Sequence, residues 1–382
     1  MPAPAAADLR PQTSRVLFLD LARAAAVIFM IQGHTVHKLL DLAYFPGLGF
    51  QAWLYLRGLT SCLFLLLSGF SFSVASDRYW DEIRRPSRRL FRRLARFAFF
   101  LALGYLIQFP MGRFSHLQFA DQERWRSFLR VDILQVVAGS LLLLQALAML
   151  LKRRLHFALA CAGAAAYVAL ATPALWSLPL AGALPLWLVS YLTADTGSYF
   201  PLFPWGAFIF AGAAIGMVYA RRGVQSGLRH TAAVLAASGA VLLLVGAVAF
   251  HVPFQPLWEV DPWKAGPSIF AARLGSSLLL LGGFALVSRH LPRLPRVVRA
   301  LSQESLVIYL VHVAILYGSL WTPALADSLG RQDLRHTIGW IVVLSGSMTA
   351  LAWAWNASKR RGPILTYALR IAVAWMLVRP LL

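Results

Sequence analysis

Four ionisable side chains gather on the first long apolar run of this chain. Asp20 and Arg23 lie inside the stretch 16–33, His34 closes it, and His37 follows one turn later. In a helix, the eleven steps from Arg23 to His34 return to within about 20° of the starting direction, and the fourteen from Asp20 to within about 40°. All three therefore share a face, and the rise from Arg23 to His34 is roughly 16 Å. A charged group at membrane depth costs at least a few kcal/mol and usually faces a bundle interior or a wet cavity. Arg23 is permanently charged and needs a partner, which Asp20 can supply from one turn away. Histidine as a residue type changes charge near neutrality, so His34 and His37 are candidate general bases. The residues alone leave two readings open: a catalytic stripe, or an interfacial ion pair followed by loop histidines.

Other groups with chemical capacity are scattered along the chain. Ser305, Tyr309 and His312 recur at helical spacing in a late apolar run. His312 is expected near mid-membrane, as a site residue or as a hydrogen-bonded core histidine. Asp132 and Gln135 open another run and could bind acceptor hydroxyls or orient a histidine; an Asp there is also a favoured helix cap. Trp205 follows Pro201 and Pro204 at the start of a further run, where it could stack on a sugar or join an interfacial aromatic belt. Arg88, Arg92 and Arg96 repeat every four residues and form one basic helical face. Guanidinium forks suit phosphates, whether of a nucleotide or of anionic lipid. Cys62 and Cys161 both lie in apolar runs and read as small core residues. No phosphate-binding glycine loop, zinc spacing or nucleophile elbow is visible, so no metal is expected.

The elements that must carry these groups are transmembrane helices. Hydrophobic residues make up 59% of the 382, and charged residues only 13%, about half the share of a soluble domain. Ten apolar runs approach the roughly 20 residues needed to cross a bilayer: 16–33, 52–75, 94–109, 131–151, 156–171, 200–220, 232–250, 268–287, 301–320 and 337–355. The stretch 173–199 is broken by Pro179, Gly182 and Pro185 and reads as re-entrant or interfacial. The last run, 363–382, either spans or lies in the interface, which gives ten or eleven spans. The expected fold is all-α, one polytopic bundle over residues 1–382, with 1–15 as a cytoplasmic tail. The 36 basic against 15 acidic residues leave a net charge of +21. In a soluble protein that would point to nucleic acid. Here the basic residues crowd short loops, above all 77–93, as the positive-inside rule requires of cytoplasmic loops. Membrane lipid, not nucleic acid, is the expected partner.

Several segments resemble the transmembrane acyltransferase superfamily, which includes the acyltransferase-3 and heparan-α-glucosaminide N-acetyltransferase-like proteins. "RVLFLDLARAAAVIFMIQGH" resembles the superfamily opening, in which an Asp, an Arg three residues on and a His eleven further are matched by Asp20, Arg23 and His34. "LFLLLSGFSFS" carries the Ser-Gly pair as Ser68 and Gly69, and "SLVIYLVH" is similar to the late Ser…Tyr-x-x-His element through Ser305, Tyr309 and His312. "VDILQVVAGSLLL" and "YFPLFPWGAFIFAGAAIG" resemble the heparan-acetyltransferase-like branch. Arg23 is followed by Ala24 where these proteins usually have Gly, and the animal heparan acetyltransferase has its active His in the loop after this span, which keeps His37 beside His34 as a candidate.

The resemblance implies an integral-membrane acyltransferase, in a bacterial inner membrane with its N-terminus cytoplasmic. It implies no bound cofactor, but acetyl-CoA or another acyl-CoA as co-substrate, docked against Arg23, Arg88, Arg92 and Arg96. It implies a hydroxyl or amine acceptor on an extracytoplasmic glycan or glycolipid, bound by Tyr309, Ser305, Asp132, Gln135 and Trp205. His34 or His37 would be the base, with Asp20, Arg23 and His312 supporting it. The acceptor, the acyl chain and the oligomeric state stay open. A proton-coupled transporter of small molecules or lipid-linked glycans would use similar intramembrane charges, though no internal repeat is visible. A scaffold for an envelope complex would need none of them.

Overall fold

The computed structural model describes residues 16–109, 114–251, 261–318 and 323–361. The tail 1–15, the run 363–382 and positions 319–320 of the predicted ninth span lie outside the described residues. Among those described, helices dominate and no strand is present. Eight helices are long and apolar enough to cross a membrane, or nine if one bent pair counts as a single span.

The elements used below are α1 (Leu17–Leu39), α2 (Leu48–Asp77), α3 (Arg88–Ile107), α4 (Ile133–Leu150), α5 (Arg154–Trp176), α6 (Leu186–Leu192), α7 (Leu202–Val218), α8 (Val224–His251), α9 (Pro267–Ser288), α10 (Arg296–Gln303), α11 (Ser305–Tyr317) and α12 (Leu334–Arg361). A helix therefore underlies each of the ten predicted runs. α3 has twenty residues, but Arg92, Arg93 and Arg96 make it more polar than the eight. Ser87 caps it, its Oγ accepting from the Leu90 amide at 3.1 Å. The stretch 173–199 holds the last turn of α5 and then α6, whose seven residues rise roughly 10 Å, too little to cross.

The predicted ninth span, 301–320, departs from expectation. It is broken between Gln303 and Ser305 into α10 and α11, which meet at 73°. Neither Gly nor Pro stands at the break. Tertiary contacts impose it: Glu304 is buried and its carboxylate accepts from Lys359 Nζ at 2.6 Å and Asn356 Nδ2 at 3.1 Å, both on α12.

α1 lies between two apolar cores. Phe18, Leu19, Ala22 and Ala26 join the larger one, with α2, α4, α5, α7 and α9. Ala24, Val27 and Ile31 join the smaller, with α10, α11 and α12. α2 and α7 touch backbone to backbone: a β-carbon at Gly69 would overlap the Ile209 carbonyl, and one at Gly212 the Leu66 carbonyl. α8 and α9 meet likewise through Gly239, Gly246 and Gly275. Small residues at such crossings let helices approach where lipid offers no hydrophobic drive for association. Cys62 and Cys161 are buried free thiols, as expected of core positions.

Candidate functional site

The polar stripe of α1 resolves into two clusters at opposite ends of the helix. At the N-terminal end, Arg23 Nη1 donates to Asp20 Oδ1 at 3.1 Å and to Ser302 Oγ at 3.2 Å, and Nη2 donates to Ser71 Oγ at 2.8 Å. Ser302 Oγ in turn donates to Asp20 Oδ1 at 2.8 Å. The knot ties α1 to α2 and α10 just before the 73° break. Its polar groups are largely consumed by the protein itself, which gives Arg23 a structural duty whatever else it does.

At the other end, His34 meets His312. Their rings stack with centroids 5.1 Å apart, and His34 Nδ1 lies 2.9 Å from His312 Nε2. His312 is fully buried, and its Nδ1 sits 2.7 Å from the Ile308 carbonyl. A carbonyl can only accept, so that contact assigns the His312 proton to Nδ1 and makes Nε2 of the neutral ring an acceptor. His34 must then donate through Nδ1. Its lone pair is left on Nε2, the nitrogen not engaged by His312. Two residues 278 apart in sequence thus select the tautomer in which His34 can accept a proton.

Aromatic groups frame this pair. Tyr317 lies edge-on to His34 at 5.6 Å, and Tyr309 edge-on to His312 at 6.0 Å. Asp132 is the residue before α4; its Oδ1 accepts from the Ile133 amide at 2.7 Å, and its carboxylate is in electrostatic reach of the Tyr309 and Tyr317 hydroxyls. His37 is exposed and accepts weakly at Nδ1 from Arg57 Nη1, 3.4 Å away. The structure therefore brings His34, His312, Tyr309 and Asp132 to one end of the bundle, with His37 on the rim.

The remaining predicted residues fall elsewhere. Ser305 is half-buried at the start of α11, two turns from His312. Gln135 is fully buried against Gly104 of α3, its side-chain amide without a hydrogen-bond partner. Asp132 and Gln135, placed on one face by spacing, point to different neighbours because Asp132 precedes the helix. Trp205 is half-buried at the start of α7, packed on Phe200 at 4.8 Å. Arg88, Arg92 and Arg96 form one exposed face of α3, as their spacing requires. The arginines between them find protein partners: Arg89 pairs with Glu82 at the surface at 3.0 Å, and Arg93 turns inward and donates to Ser76 Oγ at 2.9 Å. This basic end is where the Asp20–Arg23 knot lies, since α1 starts and α2 ends there.

Sequence reading missed Ser71 and Ser302, which carry no signal in isolation. It also missed Arg57, Arg273 and Tyr317. Both arginines stand alone inside apolar runs, so the argument that singled out Arg23 should have found them.

No curated protein and no solved structure matches the chain. The family model for the heparan-alpha-glucosaminide N-acetyltransferase catalytic domain matches residues 15–256, a segment that holds Asp20, Arg23, His34, His37, Asp132, Gln135 and Trp205 and stops short of His312. An all-α membrane bundle, a polar first helix and a match over more than half its length together make this chain a member of the heparan-alpha-glucosaminide N-acetyltransferase catalytic family.

Proposed function

We propose that this integral-membrane, acetyltransferase-like protein moves an acyl group, acetyl by family, from acyl-CoA to a hydroxyl or amine of a glycan or glycolipid, with His34 Nε2 as the general base. One observation carries the reading: the chain Ile308 carbonyl, His312, His34 leaves an acceptor nitrogen on a half-buried imidazole. The acceptor's O–H or N–H proton passes to His34 Nε2 as its lone pair attacks the thioester carbon. The tetrahedral intermediate collapses, the C–S bond breaks, and the CoA thiolate takes the proton from the His34 imidazolium. The second ring holds His34 in orientation throughout, since His34 Nδ1–H stays directed at His312 Nε2. Tyr309, Tyr317 and Asp132 border the space in which acceptor and acyl carbonyl would meet. General base catalysis of this kind is worth about 10²–10⁴ in rate.

The donor side of the proposal rests on charge. The exposed face of Arg88, Arg92 and Arg96 would supply forks for CoA phosphates, and the concentration of arginine there supports a cytoplasmic placement of this end in what we read as a bacterial inner membrane. The His34 end then faces the extracytoplasmic side. The test is transfer of labelled acetyl from acetyl-CoA by purified protein. Loss of turnover in His34→Ala is expected; full turnover in His34→Ala would refute the mechanism, and loss in His37→Ala alone would move the base to the rim.

A further inference from the structure

Arg57 has no part in the step just described, yet it stands beside the base. It lies nine residues into α2, at membrane depth, and turns toward α1. Its stem packs on Gly33, with Cγ 3.1 Å and Nε 3.7 Å from where a β-carbon would stand. Its Nη1 reaches His37 Nδ1 at 3.4 Å. The side chain therefore lies along the turn of α1 that runs from Gly33 to His37, and His34 belongs to that turn. His34 is about 60° from His37 around the helix and in electrostatic reach of the guanidinium. Tyr317, edge-on to His34 at 5.6 Å, is within the same reach. Glycine at 33 permits the approach, since a β-carbon there would crowd the arginine stem.

This corner is rich in donors and short of acceptors. A guanidinium carries five N–H groups. Among the described residues Arg57 has one hydrogen bond, the long one to His37, and no acidic partner. Trp53, one turn away on α2 with its ring 5.7 Å from the guanidinium, has its indole N–H buried without a hydrogen-bond partner. Elsewhere the molecule gives its arginines carboxylates: Arg23 has Asp20 at 3.1 Å, and Arg154 has Asp77 at 2.8 Å. A fixed positive charge beside a base that must itself turn positive is unfavourable away from water, unless negative charge forms in the same step.

Acyl transfer forms that charge. As the acceptor's lone pair bonds to the thioester carbon, the C=O π pair moves onto oxygen and leaves an oxyanion on a tetrahedral carbon. The charge lasts only until the thiolate departs. Donors already fixed in the protein act most strongly on charge that develops in this way, because nothing has to reorganise to meet it.

We propose that the Arg57 guanidinium donates to the oxyanion of the tetrahedral intermediate while His34 Nε2 holds the acceptor's proton. When the C–S bond breaks, the oxygen's pair re-forms the carbonyl, and the departing thiolate takes the proton from His34. Arg57 keeps all its own protons throughout. The proposal rests on the acyltransferase reading and adds to it the group that stabilises the charge His34 helps to create.

The experiment uses the full chain in phosphatidylcholine nanodiscs, with acetyl-CoA as donor, glucosamine or water as acceptor, and release of the CoA thiol as readout. Arg57→Gln should lower kcat about 10²–10³-fold, the usual cost of one oxyanion donor, with little change in the KM of either substrate. Arg57→Lys keeps the charge without the planar fork and should restore part of the rate. In Arg57→Ala, added guanidinium chloride, below the concentration that unfolds the protein, should restore turnover saturably, which lost packing would not allow. An unchanged kcat in Arg57→Gln, with His34→Ala inactive, overturns the oxyanion role and leaves the acyltransferase reading standing. A raised KM for glucosamine or acetyl-CoA at unchanged kcat assigns Arg57 to ground-state binding of that substrate, and a loss that neither lysine nor guanidinium reverses assigns it to structure; either overturns the proposal. If the wild type releases no thiol with either acceptor, the acyltransferase reading falls and this proposal with it.

Discussion

The two ends of α1 treat their polar groups in opposite ways. Around Arg23, Asp20, Ser71 and Ser302 satisfy one another, and three helices are bound by the result. Around His34, the hydrogen-bond chain runs one way, from His34 through His312 to the Ile308 carbonyl, and leaves His34 Nε2 with no hydrogen bond among the described residues. Closure makes a structural fastening, whereas an open valence makes a chemical group. Being ionisable and in the membrane is common to both and does not separate them.

The largest effect that can test this contrast is at the open end. His34→Ala should lower kcat by about 10²–10⁴, while the melting temperature of the purified protein moves little. His312→Ala removes the partner that sets the tautomer, and should cost about 10- to 100-fold in kcat, as loss of an orienting hydrogen bond does for metal-bound histidines. A melting temperature that collapses in His34→Ala would place the pair among the fastenings.

At the closed end the expected order reverses. Arg23→Ala leaves the buried Asp20 without its cation and should destabilise by about 3 kcal/mol. Replacing Asp20 and Arg23 together by Leu should recover part of that loss, because no uncompensated charge remains. Both are read from thermal unfolding in detergent. If Arg23→Ala melted normally but lost activity, the knot would have a chemical role after all.

Gly69→Ala tests the frame shared by both ends. Its methyl group would meet the Ile209 carbonyl, and forcing α2 from α7 should cost about 1–3 kcal/mol. The smallest effects belong to the exposed face of α3. Arg88→Gln, Arg92→Gln and Arg96→Gln should each change stability by less than about 0.5 kcal/mol. Combined, they should raise the KM for acetyl-CoA roughly fivefold per residue, about 1 kcal/mol each. An unchanged KM would leave this face to lipid.

Much of the frame was legible before any coordinates. Apolar length marked the helices, and the prolines and glycine of 173–199 marked the segment that does not cross. The break at Glu304 was not legible, because Gln303 and Glu304 suit a continuous helix and the reason for the bend sits fifty residues later, on α12. His34 and His312 were each picked out by depth and spacing, but nothing in either run says they touch. The i+4 repeat of Arg88, Arg92 and Arg96 gave a common face; whether it turned in or out depended on where Arg89 and Arg93 found partners. Arg57 and Arg273 were legible in principle. Each is one charge in an otherwise apolar run, and attention to the clustered residues of α1 passed over them.

The bent pair also bears on when the protein becomes competent during its synthesis. α11 has thirteen residues, roughly 20 Å of helix, too short to hold a crossing by itself. Its start is anchored through Glu304 to Lys359 and Asn356 of α12. Chains are made from the N-terminus, so His34 enters the membrane early, and the residues that lock the segment carrying His312 emerge near the end. Until they arrive, Glu304 is a buried carboxylate without its cation, and the two imidazoles have no fixed relation. A nascent chain stalled before residue 350 would carry both imidazoles without the contacts that fix how they meet.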